Sequence, residues 1–189
     1  MMPEIISRRP AEIVVCSFMI ATGTSHFTRG DQIHLNAAEG WLGLGDYSSA
    51  SQELDQVTAS LRAAPCVLNL RWGIYSAAKN WPLAAEVAHS LTQFDPDDKR
   101  GWLHYCDALH QMQRTAEARD ILLEVNVCFP DCALMQYNLA RYECRLGNLD
   151  RAREHLHAAF TIRGGLHLRP RASNDPDLAP LGELLSAPP

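Results

Sequence analysis

The chain has 189 residues, a formal net charge of −5 and a hydrophobic content of 47%. This length and composition fit one soluble globular domain, or one array of repeats, with enough chain to bury a core. The acidic balance argues against a nucleic-acid partner, because neutralising phosphates requires a basic surface. No apolar stretch reaches the roughly 18 residues that a membrane span needs, so no membrane association is expected.

The first 30 residues differ in character from the rest and contain one short apolar stretch, AEIVVCSFMIAT. The stretch has the length of a signal-peptide core, but Glu12 interrupts it. Secretion is therefore the lesser alternative, and a cytoplasmic location is expected. We expect residues 1–30 to form a poorly ordered extension. A start of translation at Met19 is a further interpretation of this segment.

From residue 31 the sequence repeats with a period of 34 residues. Four blocks follow without a gap, and the same position in each is alanine, namely Ala50, Ala84, Ala118 and Ala152. Two antiparallel helices cross at this position, where a larger side chain would push them apart. Each block therefore predicts a helix, a turn and a second helix. The predicted repeats are residues 31–64, 65–98, 99–132 and 133–166.

The turn between the two helices is written alike in the first and fourth blocks, as LGLGDY and RLGNLD. Gly45 and Gly147 stand where the first helix ends, a position that favours a left-handed residue without a Cβ. Lys79 and Gln113 occupy the same position in the second and third blocks. Glycine is therefore preferred at the turn but not required.

Pro96 and Pro130 close the second and third blocks, where they stop one helix pair before the next begins. Together with the crossing alanines and the turn glycines, this pattern resembles the tetratricopeptide repeat (TPR). The resemblance covers residues 31–164. It implies an all-α fold, an α-solenoid in which four helix-turn-helix repeats form a right-handed superhelix. Arg71 and Glu143 depart from the family pattern, which favours an apolar residue and an aromatic residue there.

Residues 167–189 are predicted to form a loop and a C-terminal capping helix. Asp175 can cap this helix, with Pro176 in its first turn. An apolar stripe would then cover the exposed end of the fourth repeat. The stripe consists of Leu178, Leu181, Leu184 and Leu185. The segment NDPDLAPLGELL resembles the ending of small bacterial TPR proteins in which a DPDL-type segment follows the last repeat.

The sequence contains no phosphate-binding loop, zinc-protease motif or nucleophile elbow. We therefore expect a non-enzymatic protein without a cofactor or a metal. The six cysteines have no CxxC spacing and are expected to be free thiols in a reducing compartment. The least favoured alternative is a Cys/His enzyme or metal protein that uses Cys106, His110 and Cys144.

The candidate binding site follows from the resemblance, because ligands in the family lie along the concave face made by the first helix of each repeat. The residues expected there are Asn69, Arg100, Leu103, Asp107, His110, Tyr137, Arg141 and Arg145. Arg141 and Arg145 lie one helical turn apart, so their guanidinium groups could bind a carboxylate or an acidic peptide bidentately. Pairing of these arginines with Asp107 and Glu143 is the alternative.

The resemblance implies a protein–protein interaction scaffold or adaptor, whose partner is a protein or a peptide. The two arginines would suit an acidic partner. A specialised chaperone or assembly factor of the same fold is the alternative function. Self-association is a further expectation, because the apolar ends of an open array can stack on one another.

Overall fold

The computed structural model describes residues 26–182, in which eight long helices form four antiparallel pairs. Helices α1 to α8 span Arg29–Gly43, Tyr47–Gln56, Pro65–Ala77, Trp81–Phe94, Lys99–Gln111, Thr115–Asn126, Ala133–Arg145 and Leu149–Thr161. A short 3₁₀ helix, Ala59–Leu61, connects the first two pairs. Each pair packs on the next, so the fold is an all-α solenoid. None of these helices is long and apolar enough to cross a bilayer.

The first helix begins at Arg29, two residues inside the stretch predicted to be a poorly ordered extension. A capping box explains this start: the Thr28 hydroxyl accepts from the Asp31 N–H, and the Asp31 carboxylate accepts from the Thr28 N–H. The N–H of Thr58 donates to the same carboxylate at 2.7 Å. These hydrogen bonds, that of Thr58 foremost, hold the pKa of Asp31 well below its usual range. Residues 1–25 lie outside the described part of the chain.

The repeated positions of the sequence have the same environment in all four pairs. The alanine of each crossing is fully buried, at Ala50, Ala84, Ala118 and Ala152. The second residue after each first helix has a left-handed backbone, with φ of +79°, +56°, +63° and +83° at Gly45, Lys79, Gln113 and Gly147. Glycine adopts this conformation at no steric cost, whereas the lysine and the glutamine hold a strained one.

Helix α7 is buried on both of its sides, and every residue from 137 to 144 is buried. Leu139 and Tyr142 pack in one core cluster with apolar side chains of α5 and α6. Ala140 and Cys144 belong to a second cluster, which contains α8 and residues that follow it. The first helix of the last repeat is therefore enclosed, unlike an ordinary end of an open array.

Besides the neighbouring helices, residues 165–182 pack against α7, and we call them the C-terminal segment. It consists of three short helices in place of the predicted loop and capping helix: a 3₁₀ helix at Gly165–Leu168, α9 at Arg169–Ser173 and a 3₁₀ helix at Pro176–Leu181. Pro180 has no N–H to donate, and its ring clashes with the preceding turn of an α-helix, which disfavours a continuous α-helix here. Leu178 and Leu181 are buried in the second cluster. Leu184 and Leu185 lie outside the described residues.

Candidate binding site on the first helices

Three of the eight predicted binding residues make local contacts. The Asn69 side-chain amide donates to the Pro65 carbonyl in the preceding turn at 2.8 Å. Arg100 forms an ion pair at 2.8 Å with Asp98, which precedes its own helix. Leu103 is buried in the core cluster of α5, α6 and α7. Each of these side chains thus has a partner within the helical array itself.

Four of the other five predicted residues converge on two carboxylates of the C-terminal segment, those of Asp175 and Asp177. The fifth, Asp107, contacts Arg141. Tyr137 donates its hydroxyl to Asp175 Oδ2 at 2.5 Å. His110 Nε2 lies 2.9 Å from Asp177 Oδ2, while its Nδ1 lies 3.1 Å from the Thr115 hydroxyl. The two first helices α5 and α7 therefore hold the same acidic turn.

Arg141 lies at the centre of this arrangement and is only 6% exposed. Its Nε lies 3.0 Å from Asp175 Oδ2, and its Nη2 lies 2.9 Å from Asp177 Oδ2. Its Nη1 lies 3.4 Å from Asp107 Oδ1. Arg145, one turn further along α7, is half-exposed and reaches Asp177 only at 3.6 Å. We call His110, Tyr137, Arg141, Asp175 and Asp177 the Arg141 cluster.

The charges of the Arg141 cluster support one another. Burial raises the pKa of Asp177, but the hydrogen bond from His110 and the charge of Arg141 outweigh it, so that this pKa lies below its ordinary value. Burial lowers the pKa of Arg141, and Asp175 and Asp107 more than offset that effect. Burial, followed by the Asp175 carboxylate, raises the pKa of Tyr137. These pKa shifts keep Arg141 and Asp177 charged, and the Tyr137 phenol neutral, at neutral pH.

The carboxylates that pair with Arg141 differ in part from those that the sequence suggests. Asp107 is in reach, but the fully buried Glu143 accepts a hydrogen bond from the Asn148 side chain at 2.6 Å. The sequence reasoning missed the pairing of Asp175 and Asp177, because it read the first as a helix cap and assigned the second no role. Asp175 does cap its helix, accepting from the Asp177 N–H through its other carboxylate oxygen.

A polar cleft of about 580 Å³ opens beside the Arg141 cluster. Two exposed arginines line it, Arg145 on α7 and Arg171 on α9. The Arg171 guanidinium lies 5.2 Å from the centre of the Tyr137 ring. Arg171 is a second site residue that the sequence reasoning missed, and its place in an irregular segment left no periodicity to indicate it.

The cysteines proposed for a Cys/His site do not have the properties of reactive thiols. Cys106 and Cys144 are buried, and burial raises the pKa of both thiols, that of Cys144 to about 11. A thiol with a raised pKa carries little thiolate at neutral pH and is a weak nucleophile and metal ligand. Within residues 26–182 no three His, Cys, Asp or Glu side chains are grouped to hold a metal ion.

A histidine on the same row of first helices should make the stability of the protein depend on pH. His104 stacks on Trp72 with ring centroids 3.5 Å apart, and burial lowers its pKa to about 4. The folded state thus favours the neutral ring. Its contribution to stability is complete above the unfolded pKa of about 6.5 and is lost as the pH falls towards 4.

We expect the free energy of unfolding to fall by about 1–3 kcal/mol between pH 6.5 and 4 for this reason. The substitution His104→Phe, which keeps a stacking ring, should remove much of that loss in urea titrations at pH 7, 5.5 and 4.5. Burial lowers the pKa of His155 as well, which accounts for a remaining slope of the same sign. The exposed His157 offers the matched control His157→Gln. Equal slopes in the wild type and His104→Phe would contradict this prediction.

No protein-family model matches the chain, and no curated protein matches its sequence. Solved structures do share its architecture. TTC0263, a thermophilic TPR protein of Thermus thermophilus, superimposes with a TM-score of 0.62 at 18% identity, over 82% of this chain and 83% of that one. MamA of Desulfovibrio magneticus RS-1 gives 0.62 at 16% identity, over 78% and 80% of the two chains. MamA of MSR-1 gives 0.59 at 17% identity, over 81% and 86%. At these identities the likeness concerns the fold alone, and the chain has a TPR-like fold.

Proposed function

We propose that this protein is a non-enzymatic interaction scaffold that binds an acidic peptide or protein segment on the face formed by α5 and α7. The observation that carries the proposal is the polar cleft beside the Arg141 cluster, with Arg145 and Arg171 exposed on it. Stacked helix pairs suit this role, because they present the first helices of neighbouring repeats as one extended surface.

The charges around the cleft favour an anionic partner. Three arginines line it, together with two aspartates. The aspartates, Asp175 and Asp177, are already paired with the buried Arg141. The three arginines exceed the two aspartates by one positive charge, and the two guanidinium groups exposed to solvent are those of Arg145 and Arg171. Guanidinium groups bind carboxylates in a bidentate way, so this cleft suits a segment rich in glutamate or aspartate.

A cytoplasmic location is part of the proposal. The cysteines at positions 66, 106, 128, 132 and 144 are free thiols. Such thiols persist in a reducing compartment, whereas an oxidising one favours disulfides.

The proposal is tested with a fluorescein-labelled peptide of ten glutamates, titrated with the full chain and followed by fluorescence anisotropy. The charge reversals Arg145→Glu and Arg171→Glu, combined in one protein, should weaken binding by more than about tenfold, because each removes a charge-assisted hydrogen bond. Binding to the wild type should also weaken as salt is added.

The matched control reverses two exposed arginines away from the cleft, Arg153→Glu on α8 and Arg163→Glu after it. This protein has the same net charge as the cleft variant, so a difference between the two reports on position and not on overall charge. A ten-residue glutamine peptide should bind none of the proteins. Equal affinity of the two double variants for the glutamate peptide would contradict the proposal.

A further inference from the structure

The acidic turn of the C-terminal segment meets the surface of the first helices as a bound ligand would. Asp175 and Asp177, two residues apart, receive donors from two successive repeats: His110 from the third, and Tyr137 and Arg141 from the fourth. All of these donors lie on the row of helices that the repeat pattern nominates for ligand binding. The chain's own aspartates thus pair with Arg141, the most buried arginine on the first helices.

Side chains attach the turn to the solenoid. The backbone N–H groups of Asn174, Asp175 and Leu178 donate to carbonyls within the C-terminal segment itself. The contacts of the turn and the residues around it with α5, α7 and α8 include the two carboxylates, the Arg171 guanidinium over the Tyr137 ring, and the buried Leu178 and Leu181. Departure of the turn would therefore break no hydrogen bond inside α5 or α7, and the donors would stay in place.

The cleft gives an incoming peptide access to the turn. The Asp177 side chain retains 15% of its exposure, and both aspartates line the cleft together with Arg145 and Arg171. A peptide held by these two arginines would lie next to the carboxylates that fill the Arg141 cluster. Exchange can thus start at an exposed edge, before the leucines leave the core.

We propose that the Asp175-Pro176-Asp177 turn is a built-in competitor, which occupies the Arg141 cluster until an external peptide with two carboxylates at positions i and i+2 replaces it. The inference rests on the proposed function, since it assumes that this face binds acidic peptides. It adds the spacing of the carboxylates that the partner must present. It also makes the affinity of the protein for its partner depend on how firmly the C-terminal segment is seated.

The test uses a labelled peptide with the sequence of residues 173–182, SNDPDLAPLG, against the full chain. The double variant Asp175→Asn, Asp177→Asn keeps the shape of the turn and removes its charges. We expect it to bind the peptide at least tenfold more tightly than the wild type does, and to melt at a higher temperature when the peptide is added. A peptide with both aspartates changed to asparagine should neither bind the double variant tightly nor raise its melting temperature.

The matched control is Asp95→Asn, Asp97→Asn, because these residues form an exposed acidic pair with the same spacing, away from the Arg141 cluster. It should bind the peptide as weakly as the wild type. Equal affinity of the wild type and the Asp175/Asp177 variant would overturn the inference, and so would failure of the folded variant to bind.

A second variant covers the case in which the asparagines prevent folding. Leu178→Ala combined with Leu181→Ala loosens the segment and leaves every donor and carboxylate of the Arg141 cluster intact. It too should bind the peptide more tightly than the wild type, and no gain would count against the inference. If the glutamate peptide binds the wild type while the 173–182 peptide binds no variant, the competitor alone is wrong. If neither acidic peptide binds any protein, the proposed function fails as well.

Discussion

Replacing Arg141 with methionine should lower the free energy of unfolding by about 3–5 kcal/mol, the range found when one partner of a buried ion pair is removed. Methionine keeps the apolar stem, so the loss reports on charge and not on a cavity. Asp175 and Asp177 would be left close together without the cation that holds them, and their side chains are only 9% and 15% exposed. Urea unfolding followed by circular dichroism measures the change.

The control for this prediction lies one helical turn away. Arg145→Met removes the same charge from the same helix, but at a side chain that is 49% exposed and 3.6 Å from its carboxylate. We expect a change of about 1 kcal/mol or less there, as for other exposed ion pairs. Adding Asp175→Asn and Asp177→Asn to Arg141→Met should restore part of the lost stability, because the repelling charges are gone. Equal effects of the two methionine variants would show that burial of Arg141 has no energetic weight.

The second large effect is expected at Gly165, where Gly165→Ala should cost about 2–4 kcal/mol through overpacking and backbone displacement. A Cβ at this position would lie 1.8 Å from the carbonyl oxygen of Ala159 and 3.3 Å from the Cβ of Ala133. Backbone cannot yield as a flexible side chain can. The C-terminal segment begins at Gly165, so its displacement would carry the whole segment away from α7 and α8.

Two other glycines of the chain separate this steric effect from other effects of alanine. Gly182 has open space around it and an ordinary helical backbone, so Gly182→Ala should change stability by less than about 0.5 kcal/mol. Gly164 also has open space, but its φ of +82° strains any side chain, and Gly164→Ala should cost about 1 kcal/mol. Thermal melts should therefore show the largest loss for Gly165→Ala, a smaller one for Gly164→Ala and the smallest for Gly182→Ala. A melt of Gly165→Ala that matches that of Gly182→Ala would contradict the close approach.

The fold was largely predictable from the sequence because its signals are local and repeated. The alanine of each crossing recurs every 34 residues, and so does the turn position that follows the first helix. Lys79 and Gln113 show the strength of this register. Neither favours a left-handed backbone, yet both adopt it at the positions that Gly45 and Gly147 mark.

The C-terminal segment could not be predicted in the same way. Asp177 lies 36 residues after Arg141 and 67 after His110, and no repeat relates it to either. The repeat register nominated Arg141 and Arg145 together, although one is buried in an ion-pair network and the other is exposed. The repeat register places both side chains on one face of a helix. Which of them becomes buried depends on a long-range tertiary contact with a later segment, and the register contains no information about that contact.

The C-terminal segment that covers α7 and α8 restricts the addition of a further helix pair after α8. Tandem duplication lengthens repeat proteins by adding one more helix pair to a free helical surface. After α8 that surface is already taken by Leu168, Leu178 and Leu181. A duplicated pair inserted earlier would meet an ordinary junction between repeats, while one added after α8 would have to evict the segment. Extension from within therefore leaves the C-terminal segment in place, whereas extension beyond the fourth pair requires its displacement.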